Sequence, residues 1–202
     1  MVLRVFAVIF VLLYSTVCYA DKRIALVVGN FSYTSDDLTN LSNPGNDARR
    51  MAQLLQKRNF TLVGNGALLN LTKQEFDRAV RSYGQLAQNA DVTVFYYSGH
   101  GMQVGGINYL VPSDASAPAP YNLRTDFMSA DTVMWQIDQA KSKLNFFLLD
   151  ACRNNPFRSM KATMGDGLAE MRAPIGTIIG FATQPGNTAG EQEASRNSAC
   201  AG

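Results

Sequence analysis

The chain of 202 residues contains one histidine, His100, and two of its three cysteines, Cys152 and Cys200, follow it. A thiol and an imidazole are the minimum set for covalent acyl transfer. The thiolate attacks a carbonyl carbon, and the imidazole takes the thiol proton and later returns it to the leaving amine. His100 and Cys152 are 52 positions apart, so only a fold that joins distant segments lets them act together. Gly99 and Gly101 flank the histidine and leave room for a substrate carbonyl to approach the backbone N–H groups that stabilise an oxyanion. The same residues also have a structural reading, as a buried cysteine and a histidine that satisfies a strand end.

The segments leading into both residues read as buried strands. Residues 92–97 form a β-branched and aromatic run that reaches His100 through Ser98 and Gly99, and residues 144–149 reach Cys152 through Asp150 and Ala151. Residues 23–29, 60–63 and 175–182 are further strand candidates. Helical patterns alternate with them. Asn43-Pro44 precedes Ala48, Met51, Ala52 and Leu55 at helical spacing, and Thr72 and Glu75 form a capping-box pattern ahead of Phe76, Ala79, Val80 and Tyr83. Ser129 opens a third stretch, with Ala130, Val133, Met134 and Ile137 on one side. This order predicts an α/β fold with a mostly parallel sheet and helices on both faces. His100 and Cys152 then fall just past the carboxyl ends of parallel strands, where ligands and chemistry collect in such sheets. Residues 101–120 and 154–174 lack periodicity and read as two long loops.

Composition bounds the remaining possibilities. With 47% hydrophobic and 17% charged residues, the chain is of ordinary globular type, and collagen-like, coiled-coil and disordered classes are excluded. A net charge of +2 from 18 basic and 16 acidic residues argues against nucleic acid as a partner. Gly64-Asn65-Gly66 lacks the lysine of a phosphate loop, and one histidine makes a transition-metal site a poor fit. Residues 1–20 combine Arg4, an apolar run over residues 5–14 and small residues at Cys18 and Ala20, the pattern of a cleaved secretory signal peptide. Ser15 and Thr16 interrupt a run that would need about 20 apolar residues to span a membrane. The expectation is an exported, periplasmic or secreted domain over residues 21–202, with no stable membrane association after cleavage. Cys152 and Cys200 would remain in it, and an exported pair can form a disulfide.

The order and content of several boxes add a family resemblance. Residues 96–103 (Tyr-Tyr-Ser-Gly-His-Gly-Met-Gln), 109–114 (Tyr-Leu-Val-Pro-Ser-Asp) and 148–153 (Leu-Leu-Asp-Ala-Cys-Arg) resemble the histidine and cysteine boxes of caspase-fold cysteine peptidases, in particular the bacterial caspase-like proteins related to metacaspases. The caspase signature Gln-Ala-Cys-(Arg/Gln/Gly)-Gly has its histidine about 50 residues upstream. Asp150 replaces the glutamine here and points towards the metacaspase side. The resemblance implies a three-layer caspase-like fold, Cys152 as nucleophile, His100 as its partner, and an oxyanion hole from the backbone N–H groups of Gly101 and Cys152. It also implies that Asp47, Ser98 and Asp150 line a pocket for Arg or Lys in a peptide or protein substrate. A desolvated carboxylate pair suits a cation and repels an aspartate. Asp47 also has a reading as the acidic residue of a helix start, and Asp150 as the polar end of a strand.

No cofactor is implied. Calcium activation, known for some metacaspases, stays open: Asp114, Asp126 and Asp131 lack EF-hand spacing. Residues 190–202 depart from the resemblance, at a point where relatives continue into another strand and substrate-binding loops. The sequence therefore supports two readings, a cysteine endopeptidase and a catalytically weak or inactive interaction module. Oligomeric state is not legible.

Overall fold

The computed structural model describes residues 21–119, 122–152, 156–157 and 168–182. The segments read as a signal peptide and as the divergent end, and most of the loop after Cys152, lie outside these residues.

The strands are β1 (Arg23–Gly29), β2 (Thr61–Leu62), β3 (Leu68–Leu69), β4 (Val92–Val104), β5 (Ile107–Leu110), β6 (Met128–Ser129), β7 (Leu144–Cys152) and β8 (Thr177–Phe181). The helices are α1 (Pro44–Lys57), α2 (Lys73–Leu86), α3 (Leu123–Asp126) and α4 (Ala130–Gln139). β8, β7, β4 and β1 lie side by side and parallel, with β2 and β3 parallel to β1 on its far side. β5 and β6 add antiparallel pairs beside the distal end of β4.

The central strands are apolar on both sides because helices cover both sides. Ala25, Val27, Val94 and Tyr96 pack with Ala48, Ala52 and Leu55 of α1. The alternate residues, among them Leu26, Phe95, Tyr97 and Phe147, pack with Phe76, Val80 and Tyr83 of α2 and Val133 and Ile137 of α4. A third cluster, with Tyr33, Met102, Tyr109, Val111 and Phe127, closes the end of the sheet that carries His100.

Local signals explain the helix starts. The Thr72 hydroxyl accepts from Glu75 N–H and the Glu75 carboxylate accepts from Thr72 N–H, a complete capping box. The Ser129 side chain caps α4 through Asp131 N–H. Asn43 makes no side-chain cap, and Pro44 opens α1 with its preset φ. Gly29 lets α1 sit tightly on the end of β1: a Cβ there would stand 2.7 Å from both the Ala48 Cβ and the Pro44 carbonyl oxygen. This close approach brings the first turn of α1, and Asp47 with it, to the carboxyl end of the sheet.

The stretch 101–120 is not one long loop. β4 continues to Val104 and turns back into β5 through Gly105 and Gly106, whose φ values of 59° and 82° suit a two-residue hairpin. The pairing depends on this Gly-Gly turn and on long-range contacts, so hydrophobic periodicity missed it. The short α3, β3 and β6 likewise leave no pattern of their own in the sequence. In the second expected loop, Leu168 is buried under Gly101, and Ala169 is tied to β5 in both directions. Asn108 Nδ2 donates to its carbonyl at 2.9 Å, and its N–H donates to Asn108 Oδ1 at 2.6 Å.

Candidate active site

β4 and β7 run in register from Val92 opposite Leu144 to His100 opposite Cys152, with Ser98 opposite Asp150 on the way. Neighbouring strands lie about 5 Å apart, so the histidine and cysteine backbones are adjacent despite their separation in sequence. Both residues lie within the ladder rather than past its end: β4 runs through His100 and β7 ends on Cys152.

The backbone N–H, the carbonyl and the Nε2 of His100 each have a partner. Its N–H donates to the Tyr33 hydroxyl at 3.0 Å, and that hydroxyl donates to the Asn30 carbonyl at 2.8 Å. Its carbonyl accepts from the Tyr97 hydroxyl at 2.7 Å and from Val111 N–H at 3.1 Å. The imidazole packs 4.8 Å from the Tyr33 ring, centroid to centroid, and its Nε2 lies 2.7 Å from the Thr39 carbonyl oxygen. A carbonyl only accepts, so the neutral ring carries its proton on Nε2 and leaves Nδ1 as the basic nitrogen. Burial pushes the His100 pKa down, and the bond to Thr39 partly opposes this. Asn30 is fully buried and braces the scaffold. Its side chain donates to Val111 O at 2.9 Å and accepts from Leu71 N–H at 2.9 Å.

Gly101 stands opposite Leu110 in the β4–β5 pair. Antiparallel pairs alternate between bonded and non-bonded, and Val111 N–H already reaches His100 O. The Gly101 pair is therefore the non-bonded one, with its N–H turned away from β5 towards the β7 side.

The structure gathers the acidic residues on the face covered by α1. Asp47 lies in the first turn of α1, 8% exposed. Its carboxyl is pushed up first by burial and then by the negative charge of Asp150, with Arg50 acting the other way. Asp47 Oδ2 and Ser98 Oγ are buried and make no hydrogen bond of good geometry among the described residues, Ser98 lying beside the Tyr96 hydroxyl. Asp150 accepts a hydrogen bond from the Tyr96 hydroxyl to its Oδ2 at 3.2 Å. The Tyr96 phenol is pushed up by burial and by the charge of Asp150, so it stays a donor. All three predicted pocket residues thus meet.

The sequence reading missed Thr39, Tyr33, Tyr97 and Tyr96. The Thr39 contact is a backbone carbonyl, which any residue supplies, and no side-chain signal marks it. Among the described residues no three His, Cys, Asp or Glu side chains gather to hold a metal ion. Asp114 instead accepts from Lys73 N–H at 2.8 Å, and Asp131 sits in the first turn of α4.

Residues 22–201 match the family profile described as Peptidase C14, caspase domain. The chain belongs to this caspase-domain family of cysteine peptidases. It is 30% identical over 172 residues to the mucosa-associated lymphoid tissue lymphoma translocation protein 1 homolog of Mus musculus, covering 85% of this chain and 19% of that protein. The Homo sapiens protein of the same name is 29% identical, with 85% and 20% covered. The chain therefore spans about a fifth of the length of these curated relatives. Among solved structures, caspase-1 from Spodoptera frugiperda superposes with a TM-score of 0.60 at 17% identity, covering 88% of this chain and 66% of that one. The Drosophila initiator caspase Dronc gives 0.56 at 15%, covering 88% and 59%. These likenesses establish the three-layer caspase-like fold.

Proposed function

We propose that this caspase-domain chain is a cysteine endopeptidase that cleaves peptide or protein substrates after Arg or Lys. The observation that carries the reading is the in-register pairing of His100 with Cys152. In the proposed reaction His100 Nδ1 takes the Cys152 thiol proton, and the thiolate attacks the scissile carbonyl. The N–H groups of Gly101 and Cys152 hold the oxyanion. As the tetrahedral intermediate collapses, the C–N bond breaks, His100 returns its proton to the leaving amine and a thioester remains. Water, deprotonated by His100, then hydrolyses the thioester and restores the thiol.

The buried Asp47 Oδ2 and Ser98 Oγ without partners, beside the Asp150 carboxylate, support an Arg or Lys side chain in the pocket. A cation that donates hydrogen bonds would meet both needs at once. Export with removal of residues 1–20 is part of the same proposal, supported by the charge, apolar run and small residues of that segment.

The test is hydrolysis of fluorogenic peptides ending in Arg, Lys or Asp, with and without calcium, by the chain and by its Cys152→Ala variant. The expected result is turnover after Arg or Lys only, falling by about a thousandfold or more in the variant. A folded chain that cleaves none of them overturns the reading in favour of an inactive interaction module.

A further inference from the structure

We infer that Tyr96 is a positioning residue of the substrate pocket: its hydroxyl holds the Asp150 carboxylate in the orientation that receives a cationic side chain. The inference rests on reading the pocket as a cation site and goes beyond it by naming what fixes one of its two anions.

Tyr96 lies on β4 two residues before Ser98, on the same face. The residue is 7% exposed and belongs to the cluster formed with Ala48, Ala52 and Leu55 of α1. A ring packed this way cannot swing, so it delivers its hydroxyl to one place. That place is 3.2 Å from Asp150 Oδ2 and beside Ser98, whose Oγ makes no hydrogen bond of good geometry there. A hydrogen bond to a charged acceptor in a dry site is stronger than one in water. It takes one of the two carboxylate oxygens and stops the group from rotating. Asp47 is the contrast, since its Oδ2 has no partner among the described residues. Asp150 is thus an anion set before the ligand arrives, and Asp47 one whose bonding is completed by the ligand.

A buried tyrosine needs some acceptor in any protein, so the test must separate positioning from packing. Tyr96→Phe keeps the ring and removes one donor. In the full chain carrying Cys152→Ala, binding is measured for two peptides that end in arginine or in its uncharged analogue citrulline. The expected result is that Tyr96→Phe weakens the arginine peptide about tenfold and leaves the citrulline peptide unchanged. In the chain with Cys152 intact, KM for the arginine peptide rises by a similar factor while kcat stays within about twofold. In an Asp150→Asn background, Tyr96→Phe has no further effect on the arginine-to-citrulline ratio.

An unchanged ratio in Tyr96→Phe overturns the inference, as does a loss that adds fully to that of Asp150→Asn. Equal binding of both peptides by the chain with Tyr96 overturns it together with the cation pocket. If Tyr96→Phe lowers the ratio but the chain with Cys152 turns over no peptide, the inference stands and the peptidase reading falls.

Discussion

His100 on β4 and the pocket formed by Ser98 of β4, Asp150 of β7 and Asp47 of α1 lie at the same end of the sheet, yet their bonding differs in kind. Around His100 the N–H, the carbonyl and Nε2 each have a partner, supplied by Tyr33, Tyr97, Val111 and Thr39. In the pocket, Asp47 Oδ2 and Ser98 Oγ are buried with none among the described residues. The first region is finished by folding alone. The second carries a deficit that a bound cation would remove. Buried polar groups without partners lower stability, typically by about 1–3 kcal/mol each, so such a deficit persists only where something else compensates. Under the proposed function that compensation is the binding of a cationic substrate side chain.

The sharpest way to break this contrast is Asp47→Asn. If the proposed pocket is right, kcat/KM for Arg and Lys peptides falls about a hundredfold, because the buried charge it offers a substrate cation is gone. The same variant should be more stable than the parent at neutral pH, with a melting temperature higher by about 2 °C. The sign follows from the raised carboxyl pKa. The folded state holds the proton more tightly than the unfolded state, so stability falls as pH rises through the unfolded value and towards the folded one. Asn removes that loss, and the gain should vanish below the ordinary aspartate range. Melting curves at neutral and acid pH check it. A less stable variant with full activity would mean that Asp47 serves the start of α1 and not the pocket.

Tyr33→Phe probes the finished region. It removes the acceptor of His100 N–H and the donor to the Asn30 carbonyl. The backbone N–H of a buried strand residue is then left unpaired, which costs about 1–3 kcal/mol of stability. We expect kcat to fall about tenfold with KM nearly unchanged, because the imidazole loses its placement and the pocket does not. Steady-state kinetics with an arginine peptide separate the two. A change in KM alone would show that the two regions are not independent.

How much of this was legible follows the range of the forces involved. Asp47 in α1 and the strands leading to His100 and Cys152 are marked by periodicity within a dozen residues, and the sequence places them correctly. The parallel order then sets 100 opposite 152 in a register fixed by how the two apolar faces pack against the helices, which no pattern along either strand shows. The hairpin over β4 and β5 reads as a loop in the sequence because its signal is two glycines and a pairing. The brace around His100 was not legible at all. It is made of carbonyls at Asn30, Thr39 and Val111 and of tyrosine hydroxyls that also serve the core, and neither type of group advertises its partner. Tyr96 is the same case: its residue type says core, and only the 3.2 Å contact with Asp150 says pocket.

The smallest effect tests the histidine directly, without substrate. Because the chain has one histidine, a single imidazole signal titrates in an NMR experiment. Burial disfavours the imidazolium more than the Thr39 carbonyl favours it, so the pKa should lie below the ordinary value near 6.5, with the neutral ring protonated on Nε2. The unfolded chain then binds the proton more readily than the folded one. Stability supplied by the neutral ring is complete above the unfolded pKa and is lost as pH falls through it towards the folded value. A pKa below 6.5 with Nε2 protonated makes His100 a base prepared by folding, and puts the pH dependence of substrate capture on the carboxylates. A pKa above 6.5 would mean that a nearby anion holds the ring as a cation, and Cys152→Ala would test whether that anion is the thiolate of the residue paired with His100. The finished region would then carry a charge of its own, and the contrast with the pocket would be one of sign and not of bonding.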